Sequence, residues 1–142
     1  MKIALLFLAL STTAAYAQLD ACRGLKSVKD GAKPVYPPIA KAAQVGGDVE
    51  LLVSFKATGE VDAVQTLSGP AMLQRAAVDY AKAWRANKSG STRTCQVQIT
   101  YIAPPAAAKC KRGRVSVRRA DPQHVTVKGG GTICIYEDAE QA

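Results

Sequence analysis

The sequence predicts a small α+β domain, in which one helix packs on an antiparallel sheet, followed by a β-rich extension tied by a disulfide. Two segments that alternate apolar and polar residues, 49–55 and 95–102, flank a segment of helical periodicity at 71–85. Two shorter alternating segments follow near the C-terminus. The 142 residues are 48% hydrophobic and 21% charged, which excludes collagen-like, low-complexity and fully disordered classes.

The N-terminus has the pattern of a cleaved signal peptide over residues 1–17. Lys2 precedes an apolar segment, and Ala15-Tyr16-Ala17 places small residues at a cleavage site. The segment is shorter than the ~20 apolar residues of a spanning helix. We therefore expect export to the periplasm, with 18–34 as an N-terminal segment. Lipid attachment at Cys22 is the alternative, and Asp20 disfavours it.

All four cysteines, Cys22, Cys95, Cys110 and Cys134, follow the predicted cleavage site. An even number in an oxidising compartment predicts two disulfides. We favour Cys110 with Cys134, because these lie in neighbouring C-terminal segments, which leaves Cys22 with Cys95. One disulfide with two buried free thiols is the alternative. No CxxC motif supports a zinc or redox site.

Prolines and glycines set the limits of the first elements. Pro34, Pro37 and Pro38 predict an extended entry, because a proline excludes the helical region for the residue before it. A short helix is predicted over 39–44, ended by Gly46-Gly47.

A β-hairpin follows. Val49, Leu51, Val53 and Phe55 share one face of the first strand, and Gly59 supplies the positive φ of the turn. The return strand, 61–67, loses its alternation, which predicts a bulge near Asp62-Ala63.

The main helix is predicted over 71–85, after Ser68-Gly69-Pro70. Its apolar positions recur at helical spacing on one face: Leu73, Ala76, Ala77, Tyr80, Ala81 and Trp84. A third strand is predicted over 95–102, with Val97, Ile99 and Tyr101 buried and with Gln96, Gln98 and Thr100 facing water.

Residues 103–142 form a Pro/Ala spacer and a basic, β-rich extension, with strand candidates at 114–118, 125–127 and 133–136. Its cations are expected to display an anion-attracting surface, to which we assign Arg114, Arg118, Arg119 and Lys128. Nucleic acid is disfavoured as a partner, because the export signal and the lack of interleaved aromatic residues both count against it. A solvated face that maintains solubility is the alternative.

Several short motifs in fixed order resemble the C-terminal domain of the TonB energy transducer. They are Tyr36-Pro37-Pro38-Ile39-Ala40, 47–53, Gly59-Glu60-Val61, Leu67-Ser68-Gly69, Leu73, Ala76-Ala77 and Trp84-Arg85. No single motif is specific, but their order and spacing are. The resemblance covers 35–102 and implies a β-β-α-β domain.

The resemblance also implies a function. TonB-like domains lie in the periplasm and bind an extended peptide from outer-membrane transporters, which adds as a strand to a sheet edge. The implied receiving edge is 95–102, and the implied contact residues are Tyr36, Pro37, Gln96, Gln98 and Thr100. Two alternatives remain open: a polar edge that binds nothing, and an edge covered by the C-terminal extension.

The chain departs from a complete transducer, which has an uncleaved membrane helix and a long Pro-rich spacer before this domain. We therefore expect a soluble module kept for protein binding, with membrane contact at most peripheral. A structural or adaptor protein whose basic face binds anionic envelope components is the alternative. A homodimer formed by domain swapping is left open.

We expect no enzyme activity, cofactor or metal. The single histidine excludes a multi-histidine metal centre. A hydrolase using His124 with Ser116 or Thr126 has no supporting spacing, so a surface histidine is the favoured interpretation.

Overall fold

The structure, a computed structural model, describes Cys22, residues 24–104 and residues 114–130. Several predictions lie outside these residues: the signal peptide, most of the Pro/Ala spacer, the pairing of Cys110 with Cys134, and the strand candidate 133–136.

Seven strands and two helices make up the described chain. In order they are β1 (Val28–Lys29), α1 (Pro38–Ala42), β2 (Gly47–Phe55), β3 (Val61–Ser68), α2 (Ala71–Lys82), β4 (Arg85–Ala86), β5 (Arg93–Ile102), β6 (Ser116–Asp121) and β7 (His124–Lys128).

Five strands form one sheet in the order β3-β2-β5-β7-β6, while β1 and β4 form a separate two-stranded pair. The predicted α+β class and the packing of one main helix on an antiparallel sheet are confirmed. The pairing of β7 with β5 is parallel, unlike the other pairings. This follows from the path of the chain, because the β6–β7 hairpin brings the chain back in the direction of β5.

The predicted alternation places the core on the face covered by α2. Four alternate residues of β2 are buried, as are five of β5, and the apolar ones share one core with the buried residues of α2. The largest buried side chains include Trp84, Tyr101, Phe55, Leu51, Leu73 and Ile99. Burial of each large apolar side chain contributes roughly 1.5–3 kcal/mol, so this layer dominates stability.

The β2–β3 hairpin has the predicted turn and bulge. Gly59 has a φ of +93°, and a Cβ there would lie 2.2 Å from the carbonyl oxygen of Ala86, so no other residue fits. Asp62 lies between the paired residues Val61 and Ala63 without a partner on β2, which confirms the bulge.

Element ends differ from prediction where tertiary contacts decide them. Helix α2 ends at Lys82 rather than Arg85, because Arg85–Ala86 pairs with Val28–Lys29. Strand β1 was not predicted, since two residues carry no measurable periodicity. The described extension strands, 116–121 and 124–128, are shifted and longer than predicted.

The extension is part of the core. Val125 and Val127 of β7 are 1% and 0% exposed, and they lie in register with Ile99 and Tyr101. By contrast, Val117, the partner of Val127 on β6, is 41% exposed. Strand β7 therefore continues the apolar layer, and β6 borders solvent.

A disulfide joins Cys22 to Cys95. This is the pairing predicted from the sequence once Cys110 is assigned to Cys134. Cys95 is fully buried in β5, so the bond ties the N-terminal segment to the centre of the sheet.

Breaking this disulfide should lower the free energy of unfolding. The sequence separation of 73 residues corresponds to a stabilisation of roughly 4 kcal/mol through restriction of the unfolded chain. We expect Cys22→Ala to lose about this amount in chemical denaturation, and the double variant with Cys95→Ala to lose little more. A loss below about 1 kcal/mol would contradict the assigned role.

The two paired valines provide a matched test of the buried extension. Val127→Ala should destabilise the protein by about 2 kcal/mol, because it leaves a cavity in the core. Val117→Ala should change stability by less than about 0.5 kcal/mol, because that side chain is partly in water. Equal effects in thermal or denaturant unfolding would show that β7 is not packed as described.

Candidate functional site

The chain itself covers residues 98–102 of the edge that the family resemblance assigned to the peptide. Residues Gln98–Ile102 of β5 pair with His124–Lys128 of β7 along their whole length. The expectation of an open edge over 95–102 is therefore corrected for 98–102, whereas no described strand pairs with 95–97 on that side. Of the alternatives stated from the sequence, the covered edge holds over 98–102.

The five predicted peptide contacts do not form one exposed surface. Tyr36 is 3% exposed, packs edge-on against Tyr101 and donates a hydrogen bond to the Val45 carbonyl at 2.6 Å. Pro37 is half-buried before α1. On β5, Gln96 is exposed, whereas Gln98 and Thr100 are half-buried beside β7. Tyr36 thus serves the core.

Arg119 holds the extension against the rest of the fold. Its guanidinium carbon lies 4.4 Å from the ring centroid of Trp84, and its Nη2 lies 2.6 Å from a carboxylate oxygen of Asp30. Its side chain is only 16% exposed. The assignment of Arg119 to an anion-attracting surface is therefore wrong: the residue lies on the helix side of β6 and is already paired.

The aromatic residues around this contact stay uncharged. Tyr80 packs edge-on against Trp84, with ring centroids 5.3 Å apart. Burial raises the pKa of Tyr80, and the nearby Asp30 carboxylate raises it further. Burial also raises the pKa of Tyr101. These rings therefore act as neutral packing groups rather than as acids or bases.

Strand β6 forms an end of the sheet, and no described residue pairs with its outer side. The backbone amide of Gly129, just after β7, donates a hydrogen bond to the carbonyl oxygen of Ile102 on β5. Counting back from Gly129, the backbone groups of every second residue therefore point toward β5, and those of the residues between them point toward β6. Within the β6–β7 pairing, the backbone groups of Arg118 therefore point toward β7 and form hydrogen bonds with it. The backbone groups of Val117 and Arg119 face outward, where an added strand would find donors and acceptors.

Two concavities border this outer edge, one on each face of the sheet. On the open face, Ser116, Arg118, Thr126 and Lys128 line a concavity of about 340 Å³ with Val117. On the helix side, Val117 and residues 30–34 line one of about 330 Å³. Alternate side chains of an added strand would point into the two concavities in turn.

Cations lie on the open-face side of the edge. Lys128 pairs with Ser116, which is two residues from Arg118, so Arg118 and Lys128 share that face. Both are exposed, as is Arg114 just before β6. None of these three forms an ion pair with a carboxylate within the described ranges.

His124 lies at the turn between β6 and β7, where it contacts Asp121. The carboxylate of Asp121 accepts hydrogen bonds from the Gln123 and His124 amides at 2.8 and 2.9 Å, and its second oxygen lies 2.8 Å from His124 Nδ1. The histidine bond is the main reason why the pKa of Asp121 is lowered. The resulting stabilisation is present above an ordinary aspartate pKa and is lost as the pH falls through the lowered value.

A larger apolar concavity of about 500 Å³ lies between the N-terminal segment and α2. Val35, Pro37, Pro38 and Met72 line it, and Arg75 and Asp79 pair across one turn of α2 at its rim. Its lining is mainly apolar, and the described side chains do not indicate a particular ligand.

The described residues contain neither a metal-binding cluster nor a membrane-spanning helix. Over Cys22, 24–104 and 114–130, no three His, Cys, Asp or Glu side chains cluster as a metal site would require. No helix within these ranges combines the length and the apolar character needed to cross a membrane.

Sequence reasoning missed the outer edge of β6 as a site. The number of predicted strands could have indicated this edge. Two segments with a β pattern follow the third strand, and if both join the sheet, one of them is its last strand. Alternation separates Arg118 from Arg119, but which of the two faces the helix was not readable, because that depends on the pairing with β7.

Comparison with known proteins places the fold in a family. The sequence model for "Gram-negative bacterial TonB protein C-terminal" matches residues 32–104, just over half of the chain. A solution NMR structure of the Pseudomonas aeruginosa TonB C-terminal domain is 26% identical, over 56% of this chain and 89% of that chain, with a TM-score of 0.44. No curated protein matches the chain. The family match begins in the N-terminal segment and ends after β5, so β6 and β7 lie outside it. Because the match covers more than half of the chain, the chain belongs to the TonB C-terminal family.

Proposed function

We propose that the chain is a periplasmic protein-binding module that takes up an extended segment of an envelope protein as an added strand. The N-terminal segment of an outer-membrane transporter is the ligand that the family suggests, and its binding would connect the chain to TonB-type transport. The observation that carries the proposal is the outer side of β6, where backbone groups face away from β7 without a partner among the described residues.

The acceptor edge is β6 rather than β5, because β7 would be costly to displace. Removing it would expose Val125 and Val127, at about 4 kcal/mol for the two side chains. It would also separate Arg119 from Trp84 and Asp30. A peptide on the β5 edge would have to replace all these contacts, whereas at the outer edge of β6 it would displace no strand among the described residues.

The opposite end of the sheet, β3, is a poorer acceptor. Its pairing with β2 is interrupted at both ends, between Glu50 and Leu51 and between Ser54 and Phe55. Bulges twist an edge away from a flat partner and discourage further pairing. Strand β6 has one irregularity, near its end at Asp121, and pairs regularly over 116–119.

A second candidate function is that of an adaptor whose basic face binds anionic envelope components. The observation that favours it is the exposure of Arg114, Arg118 and Lys128 without carboxylate partners in the described chain. It does not require the outward backbone groups of Val117 and Arg119, so the two functions can be separated by experiment.

Proline at position 117 tests strand addition directly. Val117→Pro removes an amide that faces outward, and sheets accept proline on an edge whose amide faces solvent. We expect this variant to lose binding of synthetic peptides that copy transporter N-terminal segments, while Val117→Thr keeps it. Amide signals of residues 116–121 should shift on binding in the parent protein, at peptide concentrations up to about 1 mM.

Thermal unfolding provides the control, since both variants should unfold cooperatively near the parent temperature. Peptide binding that survives in Val117→Pro would contradict the proposal. Shifts along 96–100 with loss of the β7 signals would instead show that a peptide displaces β7. The absence of shifts with every transporter peptide would count against the function itself.

A further inference from the structure

The outer edge of β6 carries positive charge that the rest of the described chain leaves unneutralised. Arg118 and Lys128 lie on the same face, and Arg114 is exposed just before the strand. The chain carries a formal net charge of +8, so acidic groups to balance them are scarce.

The nearest carboxylates are engaged elsewhere. Asp121 bonds to His124 and Asp30 to Arg119. On β2, Asp48 accepts a hydrogen bond from Thr100, and Glu50 accepts one from a serine of β3. The three cations therefore face outward toward whatever occupies the edge.

The two faces of the edge differ in chemistry. The open-face concavity combines Arg118 and Lys128 with the hydroxyl groups of Ser116 and Thr126, all groups that donate hydrogen bonds to an anion. On the helix side, the half-exposed Val117 is the side chain that the strand contributes to the concavity. Residues 30–34 line the rest, and they include Asp30, which is paired with Arg119, and the exposed Lys33. Since successive residues of an added strand alternate between the faces, acidic residues would fit at every second position and apolar ones between them.

We propose that this edge selects an extended peptide that carries Asp or Glu at alternate positions, held by Arg118, Lys128 and Arg114. The inference rests on the proposed function and adds the chemical class of the ligand. Charge complementarity would hold the peptide along a strand edge that has no partner among the described residues, and β7 would stay in place.

Other occupants fit the edge less well. A second copy of the chain paired through β6 would bring the cations of one edge against those of the other, and like charges across a strand pair are destabilising. A lipid headgroup or an anionic polymer would neutralise the cations. Neither, however, offers backbone donors and acceptors in register with Val117 and Arg119.

Two short synthetic peptides test the selectivity. One alternates glutamate with valine, and the other replaces each glutamate with glutamine. We expect the glutamate peptide to bind about tenfold more tightly, because exposed ion pairs of ordinary strength sum to roughly that factor. The ratio should shrink as ionic strength rises, because salt screens exposed charges.

A matched pair of double variants locates the effect. Arg118→Gln with Lys128→Gln should reduce the preference to about twofold or less, while the glutamine peptide keeps its affinity. Lys82→Gln with Lys88→Gln removes the same charge from α2 and from the loop after β4, and should leave the tenfold ratio nearly intact.

The outcomes separate the two proposals. Equal affinity for both peptides would overturn acidic selectivity and leave strand addition standing, whereas no binding of either would remove strand addition as well. Adsorption to phosphatidylglycerol vesicles that depends on Arg118 and Lys128, together with equal peptide affinities, would assign the cations to an anionic surface and overturn the inference.

Discussion

The contact of Arg119 with Trp84 and Asp30 is the constraint on which the rest of the architecture depends. It joins three parts of the chain: the extension, the residues just after α2, and the N-terminal segment. A guanidinium over an indole face keeps hydrogen-bond donors available for a carboxylate, so one side chain contacts both partners. Arg119 points to the same face as Val125 and Val127, which are buried in β7 beside β5, and β6 is the end of the sheet in the described chain. The position of the available edge thus follows from one packed charge.

Strand alternation gives two neighbouring arginines opposite roles. Arg119 lies on the helix side and is mostly buried, whereas Arg118 lies on the open face beside Lys128. A one-residue slip in the β6–β7 pairing would exchange their faces and bury an unpaired charge. The pairing of Arg119 with Asp30 therefore fixes the register of the extension, and this register in turn places the cations along the outer edge. Stability and the chemistry of the edge are two consequences of the same pairing.

Family membership and the extension act on the function in different ways. The part matched to the TonB C-terminal family, 32–104, contains the hairpin, both helices and β5, and it supports a protein-binding role. The extension, outside that match, pairs with β5 along Gln98–Ile102. If the chain binds by strand addition, the ligand would then pair with β6, which lies two strands beyond β5 in the sheet. The side chains along that edge are not specified by the family pattern. This is why we assign the ligand class from the extension rather than from the family.

The sequence by itself determined the elements whose signals are local. Alternation at 49–55 and 95–102, the turn glycine at Gly59 and the bulge near Asp62 were all predicted, because each depends on side-chain period or on a backbone angle. Only the tertiary structure decided the direction of β7 and the burial of Arg119, because both depend on contacts between residues far apart in the chain. The same holds for β1, where two residues gain strand geometry only through β4. Local periodicity indicates which face of a strand is apolar, but the packing of the whole core determines which other strand pairs with it.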